Sequence, residues 1–203
     1  MPKSAAPPRA WQRMLSGRRL DLLDPSPLDI EIEDIAHGLA RVARWNGQTR
    51  GPHVFSVAQH ALLVEAIARH LREGLPRQTC LAILLHDAAE YVIGDMISPF
   101  KAVIGPDYKS TEQRILGAVM LRFGLPAVMQ PDIAALAKEA DVIAARYEAE
   151  RLAGFSLKEA DQIFGKAPAL PRALAALLVP FNATAAEAAF RARFDLLFDP
   201  RHP

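Results

Sequence analysis

The chain has 203 residues, of which 51% are hydrophobic and 23% are charged. This length and mixture are typical of one folded globular domain and exclude a disordered chain. The formal net charge is +1, which excludes the broad attraction to nucleic acid or anionic membranes that a strongly basic protein has.

The cysteine content and the lengths of the apolar runs further limit the class of protein. Cys80 is the single cysteine, so an intrachain disulfide and a cysteine-rich zinc site are excluded, and a cytoplasmic protein is expected. No apolar run in the sequence approaches the roughly 20 residues of a transmembrane helix. The N-terminal MPKSAAPPRAW lacks the apolar centre of a secretion signal.

Helical periodicity dominates the sequence, and no run shows convincing β-type alternation. Residues 1–10 are predicted to form a loose arm. Apolar spacings of three and four residues, together with helix-end signals, predict helices over residues 11–23, 33–45, 56–71, 79–93, 110–123, 131–153 and 184–198. The sequence therefore predicts an all-α protein, with residues 1–30 as an N-terminal arm and short helix and residues 31–203 as a single domain.

Capping residues support three of these bounds. Ser56 is a suitable N-cap for the helix over 56–71, and Gly74 is a suitable stop after it. Thr184 and Glu187 have the spacing of a capping box at the start of the last helix.

The predicted helix over 79–93 carries unexpected charge. The segment 81–95, LAILLHDAAEYVIGD, overlaps this helix and contains three acids and one histidine, namely His86, Asp87, Glu90 and Asp95. In a continuous helix, His86 and Glu90 would share one face, with Asp87 beside them. An imidazole nitrogen and a carboxylate oxygen suit divalent ions such as Mn²⁺, Fe²⁺, Co²⁺, Ni²⁺ or Zn²⁺, although one helix alone supplies too few ligands for a tight site.

Two other residues interrupt apolar segments in the same manner. His60 lies in the helix predicted over 56–71, and Asp141 lies at the centre of AKEADVIAA. Charged groups are rarely buried without partners because desolvation is costly, and one shared metal ion would satisfy His60, Asp141 and the His86-Asp87 pair. Taken alone, His60 also fits a hydrogen-bonded core histidine, and Asp141 also fits a helix N-cap.

The series His60 … His86-Asp87 … Asp141 resembles the H…HD…D signature of the HD-domain metal-dependent phosphohydrolases. Five segments resemble the YfbR-like 5′-deoxynucleotidase branch of that family, namely Arg44-Trp45, SVAQH (56–60), HDAAEYVIGDMISPFK (86–101), DYKSTEQ (107–113) and KEADVIAA (138–145). The resemblance covers about residues 37 to 155. It departs from the family pattern at Gln59, where the family usually has Glu, which leaves the metal ligands intact but puts substrate selectivity in question.

The resemblance implies a helical bundle with a metal site in its core. One divalent ion (Co, Mn, Ni, Fe or Zn) would have four ligands, His60, His86, Asp87 and Asp141. Glu90 would orient or deprotonate the attacking water, and Asp95 would act near the leaving sugar oxygen. The ordinary alternatives are a solvent-facing helix acid for Glu90 and a turn residue for Asp95.

The resemblance also implies substrate contacts. Arg44 and Lys101 would bind phosphate, and Trp45 would pack against deoxyribose and exclude a 2′-hydroxyl. The alternatives are an ordinary surface cation for Lys101 and an amphipathic-helix anchor for Trp45. Arg50 and His53, in the loop before the first metal histidine, are weaker candidates for extending the pocket.

These expectations lead to one favoured function and two alternatives. The favoured function is removal of the 5′-phosphate from (deoxy)nucleoside monophosphates. The alternatives are a deoxynucleoside triphosphate hydrolase releasing triphosphate and a non-catalytic nucleotide-binding regulatory module. The expected partner is a small nucleotide rather than a nucleic acid polymer or a membrane, and the resemblance implies a homodimer.

One sequence feature bears on that dimer. The last predicted helix carries an aromatic stripe at three- and four-residue spacing, Phe190, Phe194, Leu197 and Phe198. Such a stripe is more often buried against the chain's own core than against a second copy.

Overall fold

A computed structural model describes residues 9–97 and 106–199 of the chain. Nine α-helices lie within these ranges, α1 (Ile32–Leu39), α2 (Val57–Leu71), α3 (Arg77–Leu84), α4 (Glu90–Ile93), α5 (Pro106–Arg122), α6 (Pro131–Arg151), α7 (Leu157–Phe164), α8 (Arg172–Ala175) and α9 (Ala183–Leu197). The described residues also form two short strands, β1 (Trp11–Arg13) and β2 (Arg19–Asp21). The predicted all-α class is confirmed. Among the described helices, none combines the length and apolarity needed to cross a bilayer.

Helix α2 is the centre of the bundle. It packs most extensively against α6 and also contacts α3 and α9. Eleven of its fifteen residues are buried, so it is enclosed on nearly every side rather than on one stripe. A polar side chain on α2, such as that of His60, is therefore placed in the core. Ser56 caps α2 as predicted, because its hydroxyl accepts a hydrogen bond from the backbone N–H of Gln59.

The predicted helix over 11–23 is wrong. The segment forms an antiparallel hairpin in which Gln12 lies opposite Leu20, and its turn contains Gly17 with φ of +90°. Leu20 is fully buried whereas its neighbours Arg19 and Asp21 are exposed. This alternation is a strand pattern, too short to stand out from the surrounding polar residues.

The helix predicted over 33–45 is correct only in its first half. Helix α1 ends at Leu39, and the chain then becomes extended, so that Ala43 pairs with Ser56 in an isolated antiparallel bridge. A 3₁₀ turn over Arg44–Gly47 follows.

The continuous helix predicted over 79–93 is also wrong. Helix α3 ends at Leu84 and α4 begins at Glu90. Between them the backbone hydrogen bonds span three residues, from Ala88 N–H to the Leu85 carbonyl and from Glu90 N–H to the Asp87 carbonyl. His86 and Asp87 therefore lie on a tight turn rather than on one face of a helix. Gly94 ends α4 as predicted, with φ of +78°.

The C-terminal third is more helical than predicted. Helix α7 was not predicted, although Ser156 and Glu159 form a capping box at its start. The N-cap of α9 is Asn182, which accepts from the backbone N–H of Ala185; the prediction of Thr184 as the cap is wrong, since Thr184 lies inside the helix.

The aromatic stripe of α9 is part of the chain's own core. Phe190 and Phe194 are buried, and the ring of Phe194 lies 4.8 Å from that of Phe123, which directly follows α5. This stripe is therefore not available as a dimer contact, and the homodimer stays a prediction from the resemblance alone.

Candidate metal centre

The four predicted metal ligands lie together. His60 projects from the first turn of α2, His86 and Asp87 from the turn between α3 and α4, and Asp141 from the middle of α6. The Nε2 atom of His60 lies 3.3 Å from Oδ1 of Asp141 and 3.5 Å from Oδ2 of Asp87. The Nε2 atom of His86 lies 3.2 Å from the same Asp87 oxygen. Asp141 is inside α6, which excludes its interpretation as an N-cap.

Donor atoms of three of these residues are close enough together to hold a single divalent ion, and Asp87 is not one of the three. Ligand atoms of His60, His86 and Asp141 lie within 4.8 Å of one another, and atoms bound at about 2.0–2.2 Å to one ion are separated by about 3–4.4 Å. The Nε2 atoms of both histidines are buried, and neither has a hydrogen-bond partner among the described residues. Buried nitrogens are rarely left in this condition, and these two lie 3.5 and 3.2 Å from the same oxygen of Asp87.

The opposite nitrogen of each ring is fixed by a hydrogen bond. Nδ1 of His86 donates to the carbonyl of Ile83 at 2.9 Å, and Nδ1 of His60 donates to Oε1 of Glu148 at 2.6 Å. A hydrogen bond of this kind orients the ring and leaves Nε2 as the nitrogen that is able to bind a metal.

The charges in the site attract a cation. Burial and Arg44 lower the pKa of His60, but Glu148 and Asp141 outweigh them and raise this pKa to about 10. Burial would raise the pKa of Asp87 and of Asp141, but the neighbouring imidazoles hold both well below the ordinary range. The two carboxylates therefore stay ionised at neutral pH, and without another cation the site takes up a proton on His60.

Glu148 was not predicted from the sequence. Its side chain is fully buried, and its Oε2 accepts from Nε1 of Trp45 at 2.9 Å and from Nε of Arg44 at 3.3 Å. Burial would raise the pKa of Glu148, but His60 and Arg44 lower it to about 2. The available signal was its position seven residues after Asp141, which is two turns along one helix face.

Arg44 is placed in the site but is already paired. Besides its contact with Glu148, its Nη1 donates to Oδ2 of Asp95 at 3.1 Å, and the two side chains are 13% and 6% exposed. Burial would lower the pKa of Arg44, but these two carboxylates raise it.

Trp45 has an unusual backbone. Its φ of 58° and ψ of 28° are left-handed, as are those of Asn46, so the interpretation of Trp45 as an amphipathic-helix anchor is wrong. Its ring packs against Phe155 and Phe164 with centroid distances of 5.7 and 6.0 Å. The second of these rings belongs to α7, the helix that was not predicted.

The two predicted acids lie at opposite ends of α4. Glu90 is its first residue and is 2% exposed, so its interpretation as a solvent-facing acid is wrong. Asp95 follows the Gly94 stop and lines a cleft of about 450 Å³ with four neighbours, Asn46, Ile93, Met96 and Ile97. A larger cleft of about 780 Å³, between the N-terminal hairpin and α1, shares no residue with the ligand cluster.

The remaining basic candidates differ in position. Lys101 lies outside the described residues. Arg50 and His53 are exposed in the loop that precedes α2. Lys138, which was not predicted as a site residue, is 72% exposed and places Nζ 2.7 Å from Oδ2 of Asp141.

Two relatives share sequence with the chain. A Rhodobacter capsulatus protein named uncharacterized protein RCAP_rcc00048 is 59% identical over 190 residues, which span 93% of this chain and 96% of that protein. The chain belongs to the same family as this protein. Uncharacterized protein YfdR of Escherichia coli is 36% identical over 115 residues, or 57% of each chain. No family model matches the chain.

Proposed function

We propose that the protein is a metal-dependent phosphohydrolase of the HD-domain type that removes the 5′-phosphate from (deoxy)nucleoside monophosphates. The observation that carries the proposal is the convergence of two unpartnered Nε2 atoms, on His60 and His86, with the carboxylates of Asp87 and Asp141. The order of these residues along the chain is the one that the HD signature requires.

A divalent ion held by these four residues would neutralise phosphate charge and make hydroxide available near neutral pH. Glu90 is proposed to orient or deprotonate the attacking water. Its burial one turn after Asp87 is consistent with a base kept away from bulk solvent. Asp95 is proposed to act near the leaving sugar oxygen, because it lines the cleft beside α4.

Phosphate binding requires positive charge near the proposed metal ligands. Arg44 is held by Glu148 and Asp95, so that its charge is shared before any substrate arrives. Lys138 contacts Asp141 from the exposed side of the cluster. We therefore propose that Lys138 contributes to phosphate binding together with Arg44.

The proposal is tested by a metal and substrate screen. The purified protein is freed of metal, reloaded with Mn²⁺, Co²⁺, Ni²⁺, Fe²⁺ or Zn²⁺, and assayed for phosphate and triphosphate release from ribo- and deoxynucleotides. Release of phosphate from nucleoside monophosphates is expected, and the His60→Ala variant is the negative control.

The alternatives have their own outcomes in the same screen. Release of triphosphate alone would assign the protein as a deoxynucleoside triphosphate hydrolase. Nucleotide binding without release under any metal would sink the enzyme proposal and favour a regulatory module.

A further inference from the structure

Glu148 connects the metal site to a turn that lies far away in the sequence. Its two oxygens have different partners: Oε1 accepts from Nδ1 of His60 at 2.6 Å, and Oε2 accepts from Trp45 and Arg44 at 2.9 and 3.3 Å. The carboxylate is fully buried, so water does not replace any of these contacts.

The turn on the far side of Glu148 is conformationally strained. Trp45 and Asn46 have φ values of 58° and 50°. Residues other than glycine rarely adopt this left-handed backbone conformation, and it is most unusual for a bulky residue. Such a conformation persists only where surrounding contacts hold it. Here they include the hydrogen bond from the indole to Glu148 and the packing of its ring on Phe155 and Phe164.

We infer that Glu148 is a positioning residue that couples metal binding at His60 to the conformation of the Arg44–Trp45 turn. It holds the His60 proton on Nδ1, so that Nε2 faces the other ligands, and it holds the turn against the same site. Because such coupling is reciprocal, an ion at His60 stabilises the turn, and the ordered turn raises metal affinity. The inference rests on the metal site of the proposed function but not on its substrate.

A glutamine at position 148 cannot make both sets of contacts. Its amide oxygen could accept from Nδ1 of His60, but its NH₂ group would then face the donors of Trp45 and Arg44. If the amide is reversed, the NH₂ group requires Nδ1 of His60 to be an acceptor, which moves the ring proton to Nε2, the metal-binding atom. Either arrangement therefore loses the hydrogen bonds to Trp45 and Arg44 or the correct protonation of His60.

The test measures metal binding and Trp45 emission together. The chain has two tryptophans, so a Trp11→Phe background makes Trp45 the sole fluorophore. Zn²⁺, a d¹⁰ ion that does not itself quench tryptophan emission, is titrated against a chromophoric chelator. We expect the Trp45 emission to change with the same midpoint as metal binding.

In that background, Glu148→Gln is expected to weaken metal affinity by about 10- to 100-fold and to abolish the emission response. Glu139→Gln removes the same charge from an exposed position on α6 and is expected to leave both signals unchanged. Far-ultraviolet circular dichroism verifies that each variant is folded.

Trp45→Phe decides the question if Glu148→Gln does not fold. It keeps an aromatic ring against Phe155 and Phe164 but removes the indole donor to Glu148, and the chelator assay should report metal affinity lowered several-fold. Metal affinities within twofold of the parent in the folded variants would overturn the inference, as would failure of the parent to bind metal.

Once the parent is shown to bind metal, the two proposals fail separately. If hydrolysis is present and these variants bind metal normally, only the positioning role is wrong. If the affinity shifts are observed and no nucleotide is hydrolysed, only the proposed function is wrong.

Discussion

Gly38 of α1 lies directly against Tyr91 of α4. A Cβ added to Gly38 would stand 2.8 Å from both Cβ and the carbonyl oxygen of Tyr91, closer than real Cβ atoms approach. This contact sets how closely α4, with Glu90 at its start, approaches α1. The absence of a side chain at one residue therefore determines the position of a candidate catalytic acid.

Gly38→Ala is expected to destabilise the protein, because α4 must move away from α1. Overpacking of this kind costs about 1–3 kcal/mol in the free energy of unfolding, which urea denaturation measures. Gly117→Ala is the matched control, since its added Cβ would meet Ala127 only at 3.6 Å and alanine favours helix. Equal stability of the two variants would contradict this account of the α1–α4 contact.

Substitutions of Asp87, in the turn between α3 and α4, and of Glu90, in α4, should separate metal binding from turnover. Asp87→Ala removes a proposed ligand, so metal affinity and phosphohydrolase activity are expected to be lost together. Glu90→Gln keeps the size of the side chain and should retain metal while kcat falls by about 10²- to 10⁴-fold, the typical contribution of a general base. Atomic absorption after dialysis gives the metal content and a phosphate-release assay gives kcat. Full activity in Glu90→Gln would refute the role assigned to this acid.

Metal affinity is expected to rise with pH. In the metal-free protein the pKa of His60 is about 10, so below that pH an incoming ion must displace a proton from this ring. Asp87 and Asp141 are already ionised, because their pKa values are lowered. Apparent Mn²⁺ affinity should therefore increase about tenfold per pH unit between about pH 6 and 9. Calorimetry in two buffers of different ionisation enthalpy should detect release of about one proton per ion; a pH-independent affinity would argue against His60 as a ligand.

Gln59 lies at a position where the HD-domain family that the sequence resembles usually has Glu. The contacts of its side chain explain why an amide is favoured at this position. Its side-chain nitrogen donates to the carbonyl of Val179 at 2.9 Å, and its oxygen accepts from the N–H of Phe181 at 2.8 Å. Gln59→Glu would place a carboxylate against the Val179 carbonyl in a buried position. We expect a loss of about 1–3 kcal/mol in unfolding free energy, measured by urea denaturation. The exposed Gln48→Glu is the control, and comparable stabilities in the two variants would show that the amide is not required.

Sequence periodicity predicted the helices that form the core and the proposed metal ligands that two of them carry. α2 and α6 show apolar residues at three- and four-residue spacing over several turns, so their bounds were predicted to within two residues. His60 and Asp141 were identifiable because each interrupts an apolar segment. Burial and helix geometry then brought them together.

Local sequence signals did not predict the backbone conformation where tertiary contacts determine it. The break after Leu84 has no proline or glycine to mark it, and it re-aims His86 and Asp87 toward α2 and α6. The left-handed turn at Trp45 likewise depends on Glu148, which is distant in the sequence. Glu148 itself resembled an ordinary surface acid, because the neighbouring Glu150 and Arg151 are charged.

The antiparallel bridge between Ala43 and Ser56 has a practical consequence for engineering. It fastens both ends of the segment that runs from Arg44 to Phe55 beside the proposed metal ligands, while residues 51–54 are exposed. Each doubling of loop length costs only about 0.6 kcal/mol of closure entropy. Foreign sequences inserted between Gly51 and Pro52 would therefore leave the proposed ligands in place, which makes this loop a suitable acceptor for grafted selectivity elements or reporter tags.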